Sequence, residues 1–200
     1  MLLVFICFCF KDIENFINSL KSLSSMARLR KFTSYRRIER PYTRISKYKK
    51  KSFIKAQPRH TIIRFNMGNK TRKFNYILDL KSKSDLQIRH NAIESARQSS
   101  NRLLEKELGT KEYALSIVVY PHHVTRENPV AAGAGADRFS TGMSHSFGKP
   151  HSVAAQVRKG QTLFRLKVNK NDLKTAREAL KRVQKKLPCG CLIETTENKS

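Results

Sequence analysis

Residues 131–150, AAGAGADRFSTGMSHSFGKP, gather the side chains best placed by type and spacing to meet a ligand. Four of the chain's eight glycines, Gly133, Gly135, Gly142 and Gly148, fall in this run. Glycine permits positive φ and lets a backbone approach a ligand closely. Arg138, His145, Phe147 and Lys149 can reach outward, Asp137 is the one acid, and Met143 adds an apolar thioether. Long loops inside compact domains are usually functional or disordered. A cation–polar–aromatic set suits a nucleic-acid partner, although a plain flexible linker fits the composition equally well.

A second constellation lies upstream. Residues 26–73 carry 17 Lys and Arg against one acid, Glu39, and hold +16 of a net charge of +26. Tyr35, Tyr42, Tyr48 and Phe53 are interleaved with these cations. Alternating cations and rings suit phosphate pairing and stacking on RNA bases. The candidate contacts are Arg28, Arg30, Lys31, Arg36, Arg37, Arg40, Tyr42, Arg44, Lys47, Lys49, Lys50 and Lys51, then Arg64, Arg72 and Arg126 in the body. Little periodicity precedes residue 57, which predicts an extended arm that orders on its partner; a disordered basic tail shares the electrostatics but not the stacking.

Other reactive residues have bland readings. His122 and His123 are adjacent, so in a strand their side chains diverge and cannot readily share one site. One packed ring and one surface ring is the simpler arrangement. Cys7/Cys9 and Cys189/Cys191 are C-x-C pairs without zinc-site spacing, which reads as incidental thiols in a reducing compartment. Strand geometry nevertheless puts both sulfurs of such a pair on one face. Glu94, Glu105 and Glu107 read as solvent-face charges, not a catalytic pair. No nucleophile–base pairing, dinucleotide fingerprint or P-loop is present, and no metal or cofactor is implied.

These features need a scaffold. Two hundred residues support one domain with an extension, and the charge favours a polyanionic partner. No stretch approaches the roughly 20 apolar residues of a spanning helix. Residues 1–10, MLLVFICFCF, are apolar but lack a basic n-region, and basic composition begins at Met26. The expectation is that 1–25 reflect a start placed too far upstream, with a signal or a short packing helix as alternatives. The arm is then 26–59, the body 60–195 and the tail 196–200.

In the body, 60–65 (HTIIRF) and 74–80 (FNYILDL) read as strands joined by a Gly68–Asn69 turn. A helix is expected over 84–108, with Ser84 as N-cap, Gln87 three residues on, an apolar stripe of Leu86, Ile93, Ala96, Leu103 and Leu104, and Gly109 as the stop. A strand follows over 113–120. Runs 152–157 and 162–168 read as a hairpin around residues 158–161. A second helix over 171–186 carries Leu173, Ala176, Leu180 and Val183, and 191–195 is a last strand. The pattern predicts an α+β fold, a mostly antiparallel sheet covered by two helices.

Three segments occur in a recognisable order: Arg40-Pro41-Tyr42-Thr43-Arg44, ESARQSSNRLLEKELG at 94–109, and YPHHVTRENPVAAGAGADRFSTGMSHSFGKP at 120–150. Over 26–194 the chain resembles the universal large-subunit ribosomal protein family called L-sixteen in bacteria and L-ten-e in archaea and eukaryotes, in its archaeal form. The resemblance implies a cytoplasmic, non-enzymatic constituent of the large subunit. Its partners would be large-subunit rRNA near the peptidyl-transferase centre, aminoacyl-site tRNA facing residues 133–150, neighbouring ribosomal proteins and assembly factors. It implies no membrane and no small-molecule substrate. Two departures stand out: Ser144-His145-Ser146 where the family commonly has an arginine after the loop methionine, and Lys55-Ala56-Gln57-Pro58-Arg59-His60 leading into the body. The competing readings are a free RNA-binding or RNA-modifying protein, and a basic protein tethered to a membrane by residues 2–10.

Overall fold

Among the described residues, alternating apolar positions build eight strands in two antiparallel sheets, and two amphipathic helices close over the core. The structure, a computed structural model, describes residues 31–52, 54–127 and 148–198. The chain divides into two compact units, Met1–Ser34 and Tyr35–Ser200. In the described part of the first, the Ser34 N–H donates to the Lys31 carbonyl (3.2 Å). Both sheets and both long helices belong to the second.

In chain order this second unit contains α1 (Lys49–Ser52, one turn), β1 (Asn66–Gly68), β2 (Tyr76–Ser82), β3 (Leu86–Arg89) and α2 (His90–Glu107). Then come β4 (Tyr113–Ile117), β5 (His123–Glu127), β6 (Lys149–Val157), β7 (Thr162–Val168), α3 (Leu173–Lys186) and β8 (Cys191–Glu197). The larger sheet has the order β1-β4-β7-β2-β8 and the smaller β3-β6-β5. Every pairing is antiparallel. The α+β class and the antiparallel pairing agree with expectation, while the single sheet becomes two.

Both helices present the expected stripes. Ile93, Ala96, Leu103 and Leu104 of α2 are buried, as are Ala176, Ala179, Leu180 and Val183 of α3. They join Leu78, Leu80, Leu115, Leu163, Phe164 and Leu166 of the larger sheet and Ile88 and Val157 of the smaller in one core. Gly109, at φ +79°, follows the C-cap Leu108 and stops α2. Gly68 is required by space and by conformation: its φ is +77°, and a Cβ there would sit 2.2 Å from the Tyr113 carbonyl oxygen.

Four expectations need correction. Residues 60–65 are not a strand; the pairing begins at Asn66, and β1 joins β4, not β2. Residues 84–89 are not helical. Leu86 and Ile88 alternate as β3 against β6, and α2 starts at His90 with Arg89 as an N-cap that makes no side-chain cap. The expected hairpin has its turn, with Gln161 N–H donating to the Arg158 carbonyl, but β6 and β7 go to different sheets. The strand expected over 113–120 ends at Ile117, and Val118 and Tyr120 are exposed.

Candidate nucleic-acid interface

Burial of one ring decides how the basic segment sits. Tyr42 is 7% exposed and packs with Ile54, Val124 of β5 and Val153 of β6 in a small second core. Its N–H donates to His123 Nδ1 (2.9 Å), and its carbonyl accepts from the Val124 N–H (2.9 Å). Thr43 N–H donates to the Lys51 carbonyl (2.8 Å), so residues 43–51 close a loop over α1. Further upstream, Gln87 Nε2 of β3 donates to the Arg37 carbonyl (2.8 Å). Residues 37–54 are therefore a strap fastened to the smaller sheet, not a segment waiting for a partner. Apolar burial at Tyr42 and Ile54 offsets part of the ordering entropy.

Fastening changes what the rings do. Arg126 lies over the Tyr42 ring at 4.6 Å, Arg40 over Tyr48 at 3.9 Å and Arg89 over Tyr35 at 5.2 Å. These aromatics are engaged by the chain's own cations, and Tyr42 is an anchor whose ring is not offered to a base. Phe53, Arg28 and Arg30 lie outside the described residues.

The cations themselves face outward. Arg37, Arg44, Lys47, Lys49 and Lys50 are exposed and Lys51 is half-buried, and none pairs with a described acid. Lys31 is exposed in the first unit, and Arg36 is exposed in the second. Strap, sheet and the 158–161 turn border a half-open cleft of about 470 Å³ walled by Glu39, Arg40, His122, Gln156 and Arg158. Arg72 is spent differently, in an ion pair with Glu112 and 5.8 Å over Phe74. Arg64 is exposed and lines a separate cavity of about 400 Å³ with Asn69, Arg97 and Lys111.

Both histidines of the adjacent pair are half-buried, and they make different contacts. His123 Nδ1 accepts the Tyr42 N–H, so the neutral ring carries its proton on Nε2. Burial, then the charges of His122, Arg126 and Lys51, lower its pKa to about 4. His122 Nδ1 lies 3.0 Å from the Tyr120 carbonyl. A third histidine, His90, carried no sequence signal. Its Nδ1 accepts from Thr61 N–H (3.2 Å), which orients Nε2–H to the Ser152 hydroxyl (2.8 Å), and burial lowers its pKa.

Glu94 contradicts its reading as a solvent-face charge. It is 7% exposed and grips Arg97 through two bonds, Oε1 to Nη2 at 2.6 Å and Oε2 to Nε at 2.8 Å. The Arg97 bonds hold its carboxyl below the usual range against the opposing effect of burial. The i,i+3 spacing of the pair is visible in the sequence, but its burial is not.

The glycine-rich run lies mostly outside the described residues, including Gly133, Gly135, Asp137, Arg138, Gly142, Met143, His145 and Phe147. Its end is a correction: Lys149 and Pro150 belong to β6. Pro150 faces Arg126 where the β5–β6 register shifts, the irregular kind of place a strand tolerates proline. Gly148 has φ +110°. The strand thus fixes the exit of the run beside the strap's anchor. No helix among the described residues is long and apolar enough to cross a membrane.

The chain matches the family model described as Ribosomal protein L16p/L10e over residues 42–194, from the strap's anchor into β8. It is 44% identical over 171 residues to the large ribosomal subunit protein uL16 of Methanococcus maripaludis, covering 86% of this chain and 96% of that one. It is 40% identical to the protein of that name from Archaeoglobus fulgidus, over 77% of this chain and 85% of the other. For the Staphylothermus marinus protein the identity is 42%, over 77% and 90%. Match length and identity together place the chain in the L16p/L10e family of ribosomal proteins, as an archaeal-type member.

Proposed function

We propose that this chain, a structural constituent of the large ribosomal subunit, clamps rRNA with its fastened basic strap and presents residues 131–147 to aminoacyl-site tRNA. The observation that carries the proposal is the strap: six outward or half-exposed cations without described acid partners, held on one sheet by Tyr42. Cations in fixed positions suit a sugar–phosphate backbone, because each contact releases counterions and the array is already ordered. Large-subunit rRNA and neighbouring ribosomal proteins are the partners; the work is positioning, not catalysis.

β5 leads into the glycine-rich run and β6 leads out of it, and β5 and β6 also hold the strap. The run is thus rooted on the same two strands that hold the strap. In this reading Arg138 pairs with a phosphate in a fork or stacks on a base, and Lys149 acts as a point charge at the exit. Met143 and Phe147 rest on ribose or base faces.

The test uses large subunits reconstituted with wild-type protein or with Arg138→Ala and Lys149→Ala together. The variant is expected to incorporate normally, bind aminoacyl-tRNA more weakly and slow peptide synthesis. Each well-made, desolvated contact accounts for about 1–3 kcal/mol. Normal incorporation with unchanged tRNA affinity and rate would reduce the loop to a spacer.

A further inference from the structure

The thiols of Cys189 and Cys191 meet where β2 ends and β8 begins. Both are free, and their Sγ atoms lie 3.6 Å apart. Cys191 Sγ also faces the Cys189 carbonyl at 3.6 Å. The frame is built from paired backbone: Cys191 is the register partner of buried Ser82, and Lys83 N–H donates to the Gly190 carbonyl (3.0 Å). Ser82 is fixed in turn, its hydroxyl donating to the Ser84 carbonyl (2.8 Å). Cys191 is 5% exposed and belongs to the main core, whereas Cys189 is half-buried and Gly190 between them is exposed, so the pair is approached from the Cys189 side.

Two thiolates holding one tetrahedral ion at about 2.3 Å each stand roughly 3.8 Å apart. The observed separation meets that bite without rearrangement, whereas a disulfide at about 2.05 Å requires the sulfurs to close by roughly 1.5 Å. We propose that Cys189 and Cys191 form a two-thiolate chelate for a soft, thiophilic divalent metal ion, its remaining positions open to ligands from outside the chain. No group of three or more metal-ligating side chains occurs among the described residues, so the described chain supplies two ligands and no more. Binding exchanges protons for metal: the ion gains two sulfur bonds, both thiols lose their protons to solvent, and no electron moves.

The experiment uses the full chain, reduced, with Cys7→Ser and Cys9→Ser so that this pair alone carries thiols. Cd²⁺ is titrated while the thiolate-to-metal charge-transfer band and proton release are followed, with Zn²⁺ as competitor. The expected result is one Cd²⁺ per chain, two protons released, displacement by Zn²⁺, and loss of the band on adding Cys189→Ser or Cys191→Ser. Should either serine variant fold poorly, Cd²⁺ protection of both thiols from alkylation in the parent chain gives the same answer. Equal Cd²⁺ uptake by the serine variants, or alkylation unaffected by Cd²⁺, overturns the proposal. So does a reduced chain that takes up no metal but closes a disulfide on mild oxidation.

Discussion

Replacing Tyr42 with alanine separates anchoring from charge, because it removes the strap's apolar attachment and none of its cations. The ring is nearly fully buried against Ile54, Val124 and Val153, with the Arg126 guanidinium 4.6 Å away. Truncating a buried aromatic typically costs about 3–5 kcal/mol. The two backbone bonds of Tyr42 survive the change, so the loss falls at the lower end, about 3 kcal/mol. It falls on the strap, not on the main core, since the four-residue cluster is separate from it. A local loss of that size raises the opening constant roughly a hundredfold. Hydrogen exchange reads it at the Thr43 and Val124 amides, whose acceptors are the Lys51 and Tyr42 carbonyls. Amides of β2 and β7 serve as controls. RNA affinity should fall as well, because a loosened array must be ordered on binding, while the salt dependence keeps its slope because the phosphate contacts remain. Deleting 26–51 should instead flatten that slope. Unchanged protection at Thr43 and Val124 in the alanine variant would refute the anchoring role of Tyr42.

Leu180→Ala or Leu103→Ala should destabilise the chain by about 2–5 kcal/mol in denaturant titrations, whereas exposed Lys181→Ala stays within about 0.5 kcal/mol. Glu94→Gln strands the buried Arg97 charge and should cost about 3–5 kcal/mol, measured the same way. For His123, the folded pKa of about 4 lies below the ordinary histidine value, so the unfolded chain binds the proton more readily between the two. Its contribution is complete above about pH 6.5 and is lost as pH falls towards 4, up to about 3 kcal/mol. The pH dependence of unfolding should shrink by that amount in His123→Gln.

The helices were legible because their apolar residues recur at 3.6-residue spacing: Ile93, Ala96, Leu103 and Leu104 in α2, and Ala176, Leu180 and Val183 in α3. The start of α2 was not, because Leu86 fits the helical stripe through Ile93 and also alternates with Ile88 in β3. Ser84 and Gln87 imitate a capping box, yet Gln87 is buried in a strand and turned to the Arg37 carbonyl. Splitting the expected hairpin between two sheets is a tertiary choice that a turn sequence does not carry. At the site, composition revealed the cations but not their fastening. A tyrosine among cations reads equally as a stacking platform or an anchor, and only its burial against Val124 and Val153 distinguishes them. Glu94 escaped notice because a buried ion pair and an exposed i,i+3 pair share one sequence signature.

The central claim is that residues 131–147 meet tRNA in the assembled subunit, and cross-linking from within that run tests it most directly. A photoreactive benzophenone side chain in place of Phe147, carried into subunits and irradiated with the aminoacyl site filled or empty, reports what lies beside it. The predicted result is a cross-link to tRNA that appears only when the site is filled. Cross-links confined to rRNA or neighbouring proteins, and indifferent to tRNA, would contradict it.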